Sequence, residues 1–138
     1  MEPRHNRIDF LAELARYLRN TTGTDVVTGM DAGANPANTP VTVIQVPTVS
    51  PAGRLTRWAF DVSITVTTFA ESSARAWGAH EKVCDAILDM SSLDSRAGLI
   101  RISSAVCTLE PVNVTGRNAP QWPGLLSNYT VYMRHERY

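Results

Sequence analysis

The pattern of apolar and polar residues changes its period once, close to Thr68. Before Thr68 the two kinds of residue alternate, which is typical of an antiparallel strand with one buried and one wet face. After it the apolar residues recur at the spacing of an amphipathic helix. The apolar face of the predicted strand consists of Trp58, Phe60, Val62, Ile64 and Val66. The apolar stripe of the predicted helix consists of Trp77, His80, Cys84, Ile87 and Leu88, joined by Ala76, Val83 and Met90.

The sequence offers two caps for the start of this helix. Thr68 and Glu71 have the spacing of a capping box, in which the hydroxyl and the carboxylate each accept from a backbone amide of the first turn. Ser72 or Ser73 could serve as the cap instead, which moves the start by a few residues. No residue at the junction predicts catalysis, so the strand and helix indicate a scaffold.

The other segments predict one more helix, three more strands and the loops between them. The first helix spans residues 8–21, with Asn6 as a possible cap and Gly23 as its left-handed end. Strands are predicted at residues 41–46, 99–109 and 125–134, a hairpin connection at 47–55 and a loop at 110–124. Residues 99–109 are apolar on both faces, which predicts a central strand covered on one side by a helix and on the other by a neighbour. The buried stripe of the first helix consists of Ile8, Leu11, Leu14, Ala15 and Leu18.

The order of helix, strands, helix and strands predicts an α+β fold. We expect a mainly antiparallel sheet of four to five strands packed against two amphipathic helices. The chain of 138 residues should form a single domain, residues 1–138, whose core needs neither a metal nor a disulfide. Cys84 and Cys107 are expected to be free thiols, with a disulfide between them as the less favoured alternative.

The charge composition provides no strong electrostatic attraction to a partner. Thirteen Lys and Arg balance thirteen Asp and Glu, so the formal net charge is zero. A neutral chain has no overall attraction to nucleic acid or to an anionic membrane. No apolar run approaches the roughly 20 residues that a membrane-spanning helix needs. We therefore expect neither a membrane nor a sequence-specific nucleic acid among the partners.

No arrangement of residues predicts catalysis, a metal site or a cofactor. The three histidines, His5, His80 and His135, have none of the close spacings of metal-binding motifs. His80 lies on the apolar side of a predicted helix, which favours a neutral imidazole that is hydrogen-bonded in the core. Asp85 and Asp89 are four residues apart and could notionally bind a divalent cation, but their position on the solvated face favours a surface role.

One loop and one hairpin supply the candidates for protein contact. Arg117 and Trp122 lie in the proline-rich loop, and large aromatic residues and arginines are enriched at protein interfaces. Trp122 could equally fold its loop onto the domain. Arg54 and Arg57 lie near the tip of the predicted hairpin, whose edges a neighbouring chain could reach. These four residues are the predicted interface residues.

The order of elements resembles that of siphophage tail terminators, also called tail completion or head–tail joining proteins, of the minor-tail-protein-U kind. The resemblance covers most of the chain and depends on the pattern of elements rather than on an invariant motif. It comprises an N-terminal helix (IDFLAELARYLRN), paired strands (VTVIQV and RWAFDVSITVTTF), an alanine-rich helix (AESSARAWGAHEKVCDAIL) and closing strands that end in SNYTVYMRHERY.

The resemblance implies a structural virion protein with no enzymatic activity and no cofactor. Members form a hexameric ring that caps the head-proximal end of the tail tube, stops its growth and joins the tail to the head. The implied partners are copies of the chain, the major tail tube protein and the head–tail connector or stopper protein, with DNA passing through the ring lumen. The implied location is the neck of the virion tail, after synthesis in the host cytoplasm.

Two other functions stay open at this stage. One is a different neck protein, such as a head-completion, stopper or connector component. The other, less favoured, is a small metal-dependent hydrolase that uses His80, or Asp85 with Asp89.

Overall fold

A computed structural model describes residues 6–28, 36, 38–51, 59–95, 98–114 and 122–137. These residues contain two helices and six strands, which confirms the predicted α+β class. In chain order the elements are α1 (Asn6–Thr22), β1 (Asp25–Val27), β2 (Val41–Pro51), β3 (Ala59–Phe69), α2 (Ser73–Leu88), β4 (Ser92–Ser95), β5 (Gly98–Asn113) and β6 (Gly124–Arg137).

The strands form one sheet in the order β1-β2-β3-β6-β5-β4. Only β1 and β2 pair in parallel, and all other neighbours are antiparallel, so the predicted mainly antiparallel sheet is confirmed. The long strands β3 and β6 lie at its centre and pair along their length. The short strands β1 and β4 were not predicted, because three or four residues are too few to show a period. The hairpin of β2 and β3 remains paired as far as Pro51 and Phe60.

Strand β5 differs most from its prediction. It lies one position from the edge of the sheet, and β4 pairs with it only from Gly98 to Arg101. Within the described residues, the far edge of β5 beyond Arg101 has no strand beside it. The predicted central position is therefore wrong, whereas the predicted helix lies over one face of the strand. The strand also extends to Asn113 through Pro111, which the sequence suggested was loop; the ladder is irregular there, as is usual where a proline enters a strand.

Both helices pack on the same face of the sheet, which we call the inner face. α1 contacts β1, β2 and β4, whereas α2 crosses β2, β3, β5 and β6. The core between helices and sheet is apolar, and its largest fully buried members include Leu14, Leu18, Ile44, Ile64, Ile87 and Val131. The opposite face, which we call the outer face, carries neither α1 nor α2. This asymmetry determines which side chains are available to a partner.

The ends of the helices follow short-range signals in the sequence. Gly23 has a φ of 72°, and its amide donates to the carbonyl of Arg19 at 2.9 Å, so the predicted left-handed end of α1 is confirmed. The Arg19 guanidinium donates to the carbonyl of Val26 at 2.8 Å and ties the helix end to β1. α2 is capped by Ser72, whose hydroxyl accepts from the amide of Arg75 at 3.3 Å. The alternative capping box is wrong, because its threonine lies in β3.

Candidate protein-interaction surface

The outer face is polar along its central strand. Asp61, Ser63, Thr65 and Thr67 of β3 point to this side and are half-buried, so the predicted wet face of the strand is confirmed. Two acceptor atoms on the outer face, Oδ1 of Asp61 and Oδ1 of Asn128, are buried without a hydrogen-bond partner in the described structure. The centre of the outer face is thus suited to polar neighbours rather than to apolar ones.

An apolar area lies on the outer face beside this polar centre. We call it the outer patch and define it as Val106, Leu109, Val112 and Tyr132, all of which are exposed. The first three belong to β5, where they lie opposite outer-face residues of β6, and Val106 is 48% exposed. Single exposed apolar residues are ordinary, but a contiguous group on one face is typical of an interaction surface.

Irregular pairing of β5 gives the outer patch its shape. The register of β5 against β6 shifts between Ile102 and Ser104, and again on each side of Leu109. At the first shift, the Ser103 hydroxyl donates to the carbonyl of Tyr132 at 3.0 Å. Each shift adds residues to one strand and bends it, as β-bulges do. A bulged strand is a poor template for adding another strand, so the outer patch offers its side chains rather than its edge to a partner.

Helix α2 exposes two large apolar side chains on the opposite layer of the molecule, with the exposed Glu81 between them on the same side of the helix. We call Trp77 and Leu88 the α2 stripe; they are 45% and 43% exposed. Both belong to the apolar stripe that the helical spacing predicts, but the structure leaves them exposed at its margin. The residues that α2 buries are Ala76, Ala79, His80, Val83, Cys84, Ala86 and Ile87. Because the three alanines are small, α2 can pack closely with them facing inward, which leaves its two largest apolar side chains at the margin.

The charges near these two areas have opposite signs. Beside the Leu88 end of α2 lie Asp85 and Asp89, both exposed, as the sequence analysis predicted for this carboxylate pair. Beside Tyr132 on the outer face lie Arg134 of β6, Arg101 of β5 directly across from Arg134, and the half-buried Asp61 of β3, which pairs with Tyr132, so two arginines outnumber one carboxylate there. The α2 stripe therefore has an acidic end and the outer patch a basic end.

A buried chain of hydrogen bonds connects α2 to the inner face of the sheet. Ser127 donates to the hydroxyl of Tyr129 at 3.3 Å. A hydroxyl has one proton, so Ser127 must accept from Nε2–H of His80 at 2.9 Å. Nδ1 of the neutral ring then accepts from Thr68 at 2.8 Å, and Thr68 accepts from Thr42 at 3.0 Å. Every group in the chain thus has a partner, with His80 in a single tautomer.

This buried chain is structural rather than catalytic. Thr42, Thr68 and Ser127 have no solvent exposure and His80 has 1%, so no substrate reaches the pair that His80 and Ser127 form. Burial lowers the pKa of His80 to about 4, which keeps the imidazole neutral near pH 7. The predicted neutral, hydrogen-bonded core histidine is confirmed.

The two cysteines are free, as predicted. Cys84 is buried on α2 with Sγ 3.5 Å from the Ser127 hydroxyl, and Cys107 of β5 is half-buried. Burial raises the pKa of the Cys84 thiol and also that of the Tyr129 phenol. A protonated, inaccessible thiol is unreactive. The Cys84 and Tyr129 side chains therefore contribute packing and hydrogen bonds to the core.

Only one of the four predicted interface residues lies in the described part of the chain. Arg54, Arg57 and Arg117 lie outside the described residues. Trp122 is half-buried and immediately precedes β6. The next residue, Pro123, accepts from the amide of Ala70 at 3.1 Å, which anchors this segment beside the start of α2. Trp122 is thus located at the end of the β5–β6 ladder that is nearer to Val112 of the outer patch.

Sequence reasoning missed the outer patch itself. The signal was present, since residues 99–109 are apolar on both faces, but the sequence does not tell whether the neighbour that covers the second face belongs to the same chain. The described residues contain no group of three or more His, Cys, Asp or Glu that could hold a metal ion. Among the same residues, no helix has the length and hydropathy needed to cross a bilayer.

Among solved structures, the chain is similar to a chain in the virion of a native gene transfer agent particle. The sequences are 17% identical, the TM-score is 0.54, and the match covers 89% of this chain and 92% of that chain. The two chains share a fold. A second solved chain matches with 16% identity over 95% of this chain and 96% of its own length, but its TM-score of 0.45 supports no argument. No protein-family model and no curated protein matches the sequence.

Proposed function

We propose that this chain is a structural virion protein that acts as a phage tail terminator. It forms a hexameric ring at the head-proximal end of the tail tube, ends tube polymerisation and joins the tail to the head. The observation that carries the proposal is the fold shared with a gene transfer agent virion chain over nearly the whole length of both. The resemblance in element order to tail terminators supports the finer assignment.

The exposed surfaces support a protein that acts through contacts. The described residues expose large apolar side chains at two places, the outer patch and the α2 stripe, on opposite layers of the molecule. A terminator must match the end of the tube on one side of its ring and offer no equivalent surface on the other. Tube growth then stops because the next tube subunit finds no partner. No reactive group is needed for that mechanism.

The remaining expectations belong to the same proposal. The chain is a single, non-enzymatic domain, and its partners are its own copies, the tail tube protein and a head-side connector or stopper. It is located in the neck of the virion, where DNA passes through the ring. Arg54, Arg57, Arg117 and Trp122 remain predicted contact residues for these partners.

A different neck protein is the alternative that the fold likeness also permits. A head-completion or stopper protein would bind the portal-side assembly rather than the tail tube, which separates the two functions. The hydrolase alternative has less support, because His80 is buried and uses both ring nitrogens in the core. Metal analysis of the purified chain tests the hydrolase alternative.

The proposal is tested by measuring the mass of the purified chain, alone and with the tail tube protein of the same virion. Native mass spectrometry should give a six-fold mass, and negative-stain images should show rings at one end of the tubes. Tubes grown with the chain present should also be shorter than tubes grown without it. A chain that binds only a portal-side protein, or that leaves tube length unchanged, would contradict the terminator assignment.

A further inference from the structure

We infer that the subunits of the ring join through two unlike surfaces, with the α2 stripe of one copy seated on the outer patch of the next. This inference rests on the proposed ring, since it assigns the surfaces that would hold the ring together. The occupant of the outer patch is thus a second copy of this chain. The first argument is that both surfaces carry large apolar side chains that are exposed, and that they lie on opposite layers of the same molecule.

The sequence of β5 indicates that its outer face is buried against another layer of protein. Val106, Leu109 and Val112 give β5 apolar residues on the side away from the helices, a pattern that normally occurs in strands buried on both faces. In the described chain the helices cover only the inner face. A partner that covers the outer patch would give β5 the burial that its composition indicates.

The two surfaces match in length. Trp77 and Leu88 are eleven residues apart, which on an α-helix is about three turns and about 16 Å along one side. The outer patch runs along β6 from the level of Leu126, opposite Val112, to Tyr132, which is about 20 Å of strand. A helix lying along this strand pair can therefore place one large apolar side chain near each end of the patch.

The charges determine the direction of the helix on the patch. Asp85 and Asp89 flank Leu88, whereas Arg134 and Arg101 flank Tyr132 and outnumber the half-buried Asp61 that pairs with it. Leu88 of one copy therefore lies beside Tyr132 of the next, and the acidic and basic ends meet. Charges of opposite sign across an interface favour the correct orientation and disfavour the reverse one. Trp77 then lies at the Val112 end of the patch.

A contact between unlike surfaces also explains how one chain can build a ring. A surface that binds its own copy through a two-fold axis closes at two subunits. Two different surfaces on one molecule bind head to tail and either close into a ring or continue as a filament. The α2 stripe and the outer patch are different surfaces, so they meet this requirement.

The test uses one variant for each surface and then mixes them. Val106→Glu disrupts the outer patch but leaves α2 intact, and Trp77→Glu disrupts the α2 stripe but leaves the patch intact. Gln45→Glu adds the same charge on the outer side of β2, away from both surfaces, and is the matched control. Each variant is first checked for a cooperative unfolding transition, so that loss of assembly is separated from loss of fold.

Native mass spectrometry should show rings for the wild type and Gln45→Glu, and monomers for each of the other two variants. An equimolar mixture of Val106→Glu and Trp77→Glu should give one-to-one dimers but no rings, because the pair retains one intact contact. Arg134→Glu should weaken assembly, and Asp89→Arg combined with it should restore part of the loss.

Four results would overturn the inference. Rings that persist in either surface variant remove that surface from the subunit contact, while the proposed ring stands. Monomers in the mixture show that the two surfaces do not bind each other. Rings of Val106→Glu that no longer cap tubes assign the outer patch to the tube protein instead. A wild-type chain that forms no ring, alone or on tubes, overturns the proposed function and the inference together.

Discussion

The inner and outer faces of the sheet are formed by the same strands, but their side chains differ in how far they are buried. On the inner face, residues such as Ile64 and Val131 are fully buried under the helices. On the outer face, the residues next to them in the same strands, such as Thr65 and Tyr132, are half-buried or exposed, and Tyr132 belongs to the outer patch. The inner face is therefore expected to determine whether the chain folds, and the outer face what it binds. This difference can be measured one substitution at a time.

The largest expected effect is on the inner face, at Ile64. Replacing it by alanine removes buried methyl and methylene groups and leaves a cavity, which typically costs about 2–5 kcal/mol. Thr65→Ala, at the next position but on the outer face, should cost less than about 1 kcal/mol. The free energy of unfolding in urea checks both. Equal losses for the two variants would show that the faces do not differ in this way.

The second effect is a dependence of stability on pH, caused by His80 of the inner face. The ordinary pKa of histidine is 6.5, and burial lowers that of His80 to about 4. Below pH 6.5 the unfolded chain binds a proton that the folded chain does not, so stability falls as the pH is lowered towards 4. The loss should reach about 3 kcal/mol by pH 4, because each unit of difference corresponds to about 1.4 kcal/mol.

His80→Gln provides the comparison for this pH effect. Glutamine keeps hydrogen-bonding groups but does not titrate, so the variant should lack the part of the pH dependence between 6.5 and 4. His5 and His135 are present in both proteins, and their contributions cancel in the difference. A difference in unfolding free energy between wild type and variant that stays constant over this range would contradict the burial of a neutral His80.

Most of the inner face could be predicted from the sequence. The alternation through Val62, Ile64 and Val66 gave the correct buried face of β3, and helical spacing located both helices to within two residues at each end, apart from the uncertain cap of α2. These predictions are correct because a strand or helix that is buried on one side must place its apolar residues at a regular spacing. The exposure of Trp77 could not be predicted in the same way. Periodicity alone cannot separate the centre of a buried stripe from its margin, where small alanines decide how closely the helix packs.

The outer face could be predicted less well. The apolar residues on both faces of β5 indicated cover from two sides, but a single sequence does not tell whether that cover belongs to the same chain. The bulges of β5 could not be predicted from the sequence either. Because of them, Leu109 and Val112 lie on the same outer side, although residues three apart in a regular strand point to opposite sides. The site therefore depends on strand register, which forms only when β5 meets β6.

The third effect on stability is expected where the outer face is closely packed, at Gly124. A Cβ at Gly124 would lie 2.7 Å from Cδ1 of Phe69 and 3.1 Å from Cγ2 of Val114, both of which are buried at this end of the outer face. Gly124→Ala should therefore cost about 1–3 kcal/mol through overpacking. In Gly78→Ala on α2 the added Cβ meets nothing within 4 Å, so it should instead stabilise the chain by up to about 1 kcal/mol. Thermal unfolding of both variants checks the contrast.

The smallest effect is expected in the outer patch, at Leu109. Threonine retains a preference for strands and Leu109 is 38% exposed in the single chain, so Leu109→Thr should change the unfolding free energy by no more than about 1 kcal/mol. Ile44→Thr, the inner-face counterpart on β2, should lose several times as much, since Ile44 is fully buried. Urea unfolding at low protein concentration measures the single chain. A loss at Leu109 comparable with that at Ile44 would mean that this chain covers its own outer patch, and the surface would then have no room for a neighbouring copy.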